Sequence, residues 1–597
     1  MCGIAGELRF DGAAPEPGVL EAMLPALARR GPDHEGRWAG GPVQLGHRRL
    51  AVIDLSARSN QPMHDPELGL TLVFNGAIYN YPELRRELAA AGYTFFSEGD
   101  TEVILKAYHR WGAGCLERLR GMFAFALWDA RARRLFLARD RMGIKPLYYS
   151  RGRGGFRFAS NSQALLAAGG VDTRIDPVGL HHQLTLHAVV PAPRTILAGL
   201  RKLAPGTWMS VEADGRTRHG RYWDLEATRP ARPLSEAEWT ERVHAALREA
   251  VRIRLDIADV PVGVLLSGGL DSSLLVALLA EAGVEDLLTF SIGFEDIGDE
   301  KGSEFEYSDP VAARYRTRHH RIHIPNDQVL ARLPEAVDAM AEPMVAQDAV
   351  AFYLLAERVS EHVKVVQSGQ GADEVFAGYF WYPRLHADTE PDPARRFGRH
   401  YFDRDHDEFL GTVMPAWHGP DWTSALVRER LTRPGADAFI DQVLRFDVTT
   451  LVVDDPVKRV DNMTMAFGLE ARVPFLDQEL VKLAARLPPE LKLGSGGKHV
   501  LKAIARPLLP AAVIDRPKGY FPMPALKYVR GPFLDFMRDI LDSRACRERG
   551  LFQRPYVEKL LAAPEAPAHF TRLRGSKLWH LALLEFWLQR HVDGARA

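Results

Sequence analysis

The chain is 597 residues long, too long for one hydrophobic core, so two or more domains are expected. A formal net charge of −1, with acids and bases interspersed, excludes the gathered basic surface of a nucleic-acid-binding protein, and no apolar run of about 18 residues suggests a membrane span. Cys2, Cys115 and Cys546 are too scattered for a disulfide framework or a zinc pattern, and the start MCGIAGELRF has no basic or long apolar leader, so a reducing, cytoplasmic location is expected.

The first 225 residues are rich in short β-like runs broken by Gly, Pro and Asn: VQLGHRRLAVIDL, LTLVFNGAIYN, GMFAFALWDA, RRLFLARD and FRFAS. Helical periodicity interleaves at YPELRRELAAAG and TEVILKAYHRWG, which predicts an α+β layered domain. Ala227–Trp239, ATRPARPLSEAEW, reads as a linker that ends in a helix start. The boundaries expected are therefore 1–225, a linker 226–239, and a second domain 240–597. In the second domain, VGVLL, LLTFSIGF and VKVVQS alternate with helical segments, the pattern of βαβ units and a parallel sheet. From Arg384 onward the pattern is mostly helical.

Two stretches of the second domain have nearly the same shape. In VGVLLSGGLDSSLL a strand ends at Leu266 and a helix begins near Asp271, so unpaired N–H groups face the turn and suit a phosphate. Gly268 and Gly269 permit close backbone approach, and Ser267 and Ser272 supply hydroxyls. Asp271 repels phosphate, which points to a bridging Mg²⁺; the plain alternative is an Asp N-cap. No Gly-Lys-Ser/Thr follows, so this is not a Walker A loop. The second turn, Ser368-Gly369-Gln370-Gly371-Ala372-Asp373-Glu374, also follows a β-run, and Asp373 is the candidate for the second Mg²⁺ carboxylate.

SGGLDSS resembles the pyrophosphate loop of the ATP pyrophosphatases, which cleave ATP to AMP and pyrophosphate. SGQGADEVFAGY resembles the paired loop of asparagine synthetases and β-lactam synthetases, and RVDNMTMAFGLEARVPFLDQELVKLAARLPPELK and GGKHVLKAIARPLLPAAVIDRPKGYFPMP extend the match. The resemblance implies ATP and pyrophosphate contacts at Leu266, Ser267, Gly268, Gly269, Asp271, Ser272, Ile292, Ser368, Gly369 and Lys498. It also places a catalytic lysine at Lys518, neutralising charge on the adenylate and departing pyrophosphate.

At the other end, Cys2 follows the initiator methionine. Once Met1 is removed, thiol and α-amine belong to one residue, and an amine with a reference pKa near 8 can take the thiol proton. Arg30-Gly31-Pro32-Asp33, Arg49, Asn75-Gly76, Asp100 and RDRMGIKPLYY together resemble the class II glutamine amidotransferases, N-terminal nucleophile (Ntn) hydrolases layered α-β-β-α. On that resemblance, Cys2 attacks the glutamine amide carbon, and the Asn75 side chain and Gly76 N–H hold the oxyanion. Arg49 clamps the glutamine carboxylate and Asp100 pairs with its ammonium group. Taken alone, Asn75-Gly76 reads equally as a hairpin turn and Arg49 as a surface ion pair. The family often has an acid after Asn-Gly; here it is Ala77.

The two halves together resemble the glutamine-hydrolysing asparagine synthetases: ammonia released at Cys2 travels internally and displaces AMP from an acyl-adenylate, leaving an amide. The substrates implied are small molecules (glutamine, ATP and an acceptor carboxylate), and a homodimer is the assembly the resemblance allows. Asparagine synthetases usually carry an acid at the position of Gln370, and glutamine cannot act as a base. The surrounding wording resembles the N-acetylglutaminylglutamine amidotransferase branch, with Gln370 and Glu374 as acceptor-site candidates and free aspartate as the alternative acceptor. The aromatic run Tyr379-Phe380-Trp381-Tyr382 reads as either a wider acceptor pocket or core packing. A β-lactam synthetase-like cyclase and a non-catalytic scaffold are the rival readings; the retained Cys2 set argues against the first and the two complete turns against the second. The histidine clusters HHQLTLH and HHRIH lack Cys partners or HExxH spacing and read as loop or core residues.

Overall fold

Strand residues alternate between two environments, and that alternation builds the first half. Ile4 and Leu8 on Gly3–Arg9 face one way, into an apolar layer with Val73, Ala124, Leu135 and Met209. Ala5 faces the other way, against helical residues Leu20, Met23 and Leu165. The result, in the computed structural model, is two six-stranded sheets. Residues 2–297, 301–344, 348–516 and 529–594 are described by it. In the first sheet Gly3–Arg9 runs antiparallel between Val43–Arg49 and Gly155–Ala159. In the second, Leu70–Ile78 pairs antiparallel with Gly121–Asp129. The outer face of the second sheet is covered by Tyr81–Ala90 and Asp100–Trp111 through Leu84, Leu88, Val103 and Ile104. Helix, sheet, sheet, helix is the layering expected of the Ntn fold.

Two sequence readings are refined. VQLGHRRLAVIDL is not one strand; it stops at Arg49, and the following loop wraps the Arg49 guanidinium. Asn75-Gly76 is not a hairpin turn but the interior of the strand Leu70–Ile78. Gly76 is required there because a Cβ would lie 2.1 Å from the Met122 carbonyl oxygen.

Helix Glu236–Asp256 opens the second half with a reciprocal cap. The Ser235 hydroxyl accepts from Glu238 N–H, and the Glu238 carboxylate accepts from Ser235 N–H. Beyond it lies a five-stranded sheet in the order Arg318–Ile324, Leu288–Phe294, Val262–Leu265, Val365–Gln367, Glu470–Arg472, with every pairing parallel. From the central Val262–Leu265 the chain builds outward in one direction and later in the other. The crevice between this strand and Val365–Gln367 is therefore the switch point where α/β sheets hold ligands. Both Ser-Gly turns leave these two neighbouring strands at the same edge. Helix Leu270–Glu281 follows the first turn, with Ser272 to Leu279 all buried. HHRIH lies on the edge strand Arg318–Ile324, and the three histidines of HHQLTLH lie on and just after helix Pro177–Thr185. Among the described residues no helix is long and apolar enough to cross a membrane.

Candidate active sites

The first site is assembled by adjacent strand and helix ends. The Cys2 N–H donates to Asn75 Oδ1 at 3.0 Å, which turns the other end of that amide, Nδ2, into the same neighbourhood. Asn75 Nδ2 is buried and has no partner among the described residues. A buried donor without an acceptor costs about 1–3 kcal/mol, so it marks a position held ready for an oxygen that arrives with a ligand. Burial pushes the Cys2 thiol above its ordinary pKa. Asp100 begins helix Asp100–Trp111 and accepts from Ile78 N–H at 3.0 Å; burial pushes its carboxyl up to about 7. Arg49 is buried, and its guanidinium donates to Ser56 O and Asn60 Oδ1 at 2.8 and 2.7 Å and to Asp54 O. It thus shapes the loop beside Cys2 as well as standing in the site.

The second site is a cavity of about 510 Å³ at the carboxyl edge of the parallel sheet. Leu266, Ser267, Gly269, Asp271, Ser272, Ile292, Ser368, Gly369, Gln370, Asp373 and Lys498 all line it, so the two turns share one crevice. The Ser272 hydroxyl knits the first turn, accepting from Ser267 N–H and donating to Gly269 O. The two turns touch: a Cβ on Gly369 would lie 3.1 Å from Asp271 Cβ. Lys498 Nζ lies 2.5 Å from Asp271 Oδ2 and 2.7 Å from Asp373 Oδ1. Burial works against the ammonium charge, but the two carboxylates outweigh it and raise its pKa.

Three expectations change. Gly268 does not line the cavity; at φ +73° it turns toward the helix Phe305–Tyr315, where a Cβ would meet Ser308 N at 2.7 Å. Glu374 is buried outside the cavity wall and accepts from the Tyr379 hydroxyl at 2.7 Å. The aromatic run is packing: Tyr379 stacks on Trp381 at 4.1 Å, Trp381 and Tyr382 are buried in a cluster with Phe397 and Tyr401, and none of the four lines the cavity. Lys498 stays a candidate phosphate contact on the cavity wall, and it also meets the two carboxylates, which the sequence did not foresee. Lys518 lies outside the described residues.

Sequence reasoning missed three features. Gly378 lets Lys498 reach its partners, since a Cβ there would lie 2.1 Å from both Asp373 Oδ1 and Lys498 Cε. Arg516, paired with Glu304 at 3.0 Å, adds a cation to the cavity wall; the RPKGY signal two residues before Lys518 pointed to that neighbourhood. The third is a buried ionic bridge between the halves. Arg30 donates to Cys2 O at 3.3 Å and to Asp461 Oδ2 at 2.9 Å, and Lys145 Nζ lies 3.4 Å from Asp461 Oδ1. Burial acts to raise the Asp461 carboxyl, and Arg30 and Lys145 outweigh it and hold it below its ordinary value. No sequence signal joins residues 431 positions apart.

The glutamine amidotransferase domain family matches residues 1–223, and the asparagine synthase family matches residues 242–589. A putative glutamine-hydrolysing asparagine synthetase of Mycobacterium bovis is 36% identical over 590 residues, covering 89% of this chain and 88% of that one. Asparagine synthetase [glutamine-hydrolyzing] 1 of Bacillus subtilis is 30% identical over 634 residues, covering 99% and 97%. The amidase chry2 of Gibberella zeae is 29% identical over 615 residues, covering 89% and 90%. The chain belongs to the asparagine synthase family, and is a glutamine-dependent carbon–nitrogen ligase with ATP as co-substrate.

Proposed function

We propose that the protein amidates the carboxylate of N-acetylglutaminylglutamine, using residues 1–225 as the glutaminase, 226–239 as the linker and 240–597 as the synthetase. The Cys2 thiolate attacks the glutamine amide carbon. Asn75 Nδ2 and Gly76 N–H receive the oxyanion, Arg49 holds the substrate carboxylate and Asp100 its ammonium group. The C–N bond breaks and ammonia leaves with the proton taken from the thiol; water then frees glutamate from Cys2.

In the second site an acceptor carboxylate oxygen bonds to the α-phosphorus of ATP, the bond to the β-phosphate oxygen breaks, and pyrophosphate departs. Ammonia attacks the acyl carbon, AMP leaves with the bonding pair, and one proton is released. The donor set suits Mg²⁺, since Asp271 and Asp373 are hard oxygen ligands on neighbouring turns of one cavity, where the Lys498 ammonium would give way to the ion. Bound there, the ion would neutralise charge on the departing pyrophosphate. Lys498 and Lys518 supply fixed positive charge toward the same oxygens.

The observation that carries the acceptor reading is Gln370. Its half-buried side chain lines the cavity where asparagine synthetases usually carry an acid, and Glu374, bonded to Tyr379, is not on the wall to replace it. An uncharged amide both donates and accepts, which suits peptide groups better than it suits the ammonium group of free aspartate. The names of the relatives are consistent with the second reading, aspartate as acceptor. Pyrophosphate release from ATP, measured with each acceptor in the presence of glutamine, decides between them. The dipeptide should be preferred at least tenfold in kcat/KM, and a preference for aspartate overturns the proposal.

A further inference from the structure

Two groups of histidine and aspartate lie outside both sites, and both grow out of the HHQLTLH run. In the first, His181 Nε2 lies 3.1 Å from His406 Nδ1 and 3.8 Å from Asp421 Oδ1. In the second, Asp403 Oδ2 lies 3.0 Å from His187 Nδ1 and 3.2 Å from His580 Nδ1. Within each group the three ligand atoms fall within 4.8 Å of one another, so small side-chain rotations bring them to one ion with bonds of about 2.0–2.2 Å.

Their outer partners separate the two groups. His580 Nε2 is buried without a partner among the described residues, and lies 2.9 Å from where a Gly575 Cβ would stand. Were His580 Nδ1 on a metal, its proton would have to sit on Nε2, as a buried donor with nothing to receive it. Hydrogen-bonded to Asp403 through Nδ1–H, the ring leaves only an acceptor unmet. The second group is therefore a buried carboxylate between two imidazoles.

His181 has the opposite surroundings. Its Nδ1 lies 2.6 Å from Thr423 Oγ1, and His182 Nδ1 lies 2.9 Å from the same oxygen. A hydroxyl has one proton and two lone pairs, so at most one ring accepts from it and at least one donates to it. With His181 as the donor and His182 as the acceptor, His181 Nε2 presents a lone pair to His406 and Asp421. This is the outer bond that fixes a metal-binding imidazole. Asp421 Oδ1 also accepts from Ser424 N–H at 2.9 Å, which orients the carboxylate. His406 and Asp421 are half-exposed, giving an ion a way in and a water its place.

We propose that His181, His406 and Asp421 bind a divalent transition-metal ion of the Zn²⁺ class. Two imidazoles and one carboxylate favour Zn²⁺, Co²⁺ or Ni²⁺ over Mg²⁺. The ligands come from helix Pro177–Thr185, from the first turn of His406–Thr412 and from the N-cap of Trp422–Thr432, so the ion staples the glutaminase half to the helical part of the second half. The site shares no residue with either active site.

The test uses untagged full-length protein, stripped with a chelator and titrated with Co²⁺ alone. One equivalent per chain should produce a ligand-field absorption band that Zn²⁺ displaces, and Zn²⁺ should raise the thermal unfolding midpoint. His406→Ala and Asp421→Asn, both at half-exposed positions, should lose the band and the Zn²⁺ shift while keeping native circular dichroism and both activities. Thr423→Val should weaken Co²⁺ binding by about 10–100-fold, and His187→Gln should leave it unchanged. A wild-type protein without a saturable band, or a band that survives in Asp421→Asn, overturns the proposal.

Discussion

The two active sites are built on opposite plans. Around Cys2 the groups are buried: Cys2 is 7% exposed, Asn75 is fully buried inside a strand, and its amide donor has no partner among the described residues. Asp271 and Asp373 keep 18% of their side-chain surface, sit in the first turns of the helices Leu270–Glu281 and Ala372–Phe376, and border a cavity of about 510 Å³. The difference follows from what each must hold. Amide cleavage needs one nucleophile and a few fixed dipoles, which low dielectric strengthens. Adenylation must admit a nucleotide and an acceptor together and neutralise several negative charges, which takes room and mobile cations. Asp461, with Arg30 and Lys145, joins the two plans where the halves meet.

The sharpest way to separate the sites is Cys2→Ala. Glutamine-supported synthesis should fall by about a thousandfold or more, with ammonia-supported synthesis retained. Loss of both would mean the sites cannot be treated independently. Gly378→Ala reverses the experiment, because the added Cβ collides with the Lys498–Asp373 pair. A displacement of that kind can cost about 100-fold in rate. Pyrophosphate release should drop while glutamine hydrolysis continues; an unchanged release rate would show that Lys498 is not needed where it lies.

Arg30→Met attacks the bridge instead. Breaking a buried ion pair by removing one partner costs about 3–5 kcal/mol, and because Lys145 stays with Asp461 the lower end is expected. Chemical denaturation reads the stability, and glutamine hydrolysed per amide formed should rise above one. A variant as stable and as tightly coupled as wild type would make the bridge incidental. The smallest effect concerns pH. With its carboxyl raised to about 7 by burial, Asp100 is neutral below that pH and loses its attraction for the glutamine ammonium group. The glutamine KM should therefore rise as pH falls through about 7, and Asp100→Asn should have a high KM that no longer changes there. A flat wild-type profile removes Asp100 from ammonium recognition.

Much of this was legible in the sequence because it is local. Period-two runs predicted the sheets, and Ser-Gly turns after β-runs predicted a phosphate crevice. The linker Ala227–Trp239 signalled a helix start at its end, and the helix Glu236–Asp256 begins there. Even at long range, Cys2, Arg49, Asn75 and Asp100 were recognisable as a set, since each sits in its own short motif. What failed was orientation. Glu374 sits one residue after Asp373 in the same turn, yet the helix Ala372–Phe376 points it away from the cavity and into the packing around Tyr379. The aromatic run met the same fate, because a ring's environment is set by the helices that close over it.

By itself, then, the sequence determined the two layered architectures, the candidate nucleophile and the paired turns, all of which are read from neighbours a few residues apart. Only the tertiary structure decided that Lys498 bridges Asp271 and Asp373, that Arg30 and Lys145 meet Asp461, and that His181 finds His406 and Asp421. Those contacts join residues more than two hundred positions apart, except for Asp373 and Lys498 in the same half. Their chemistry exists only after strand order and helix packing have brought the chain back on itself.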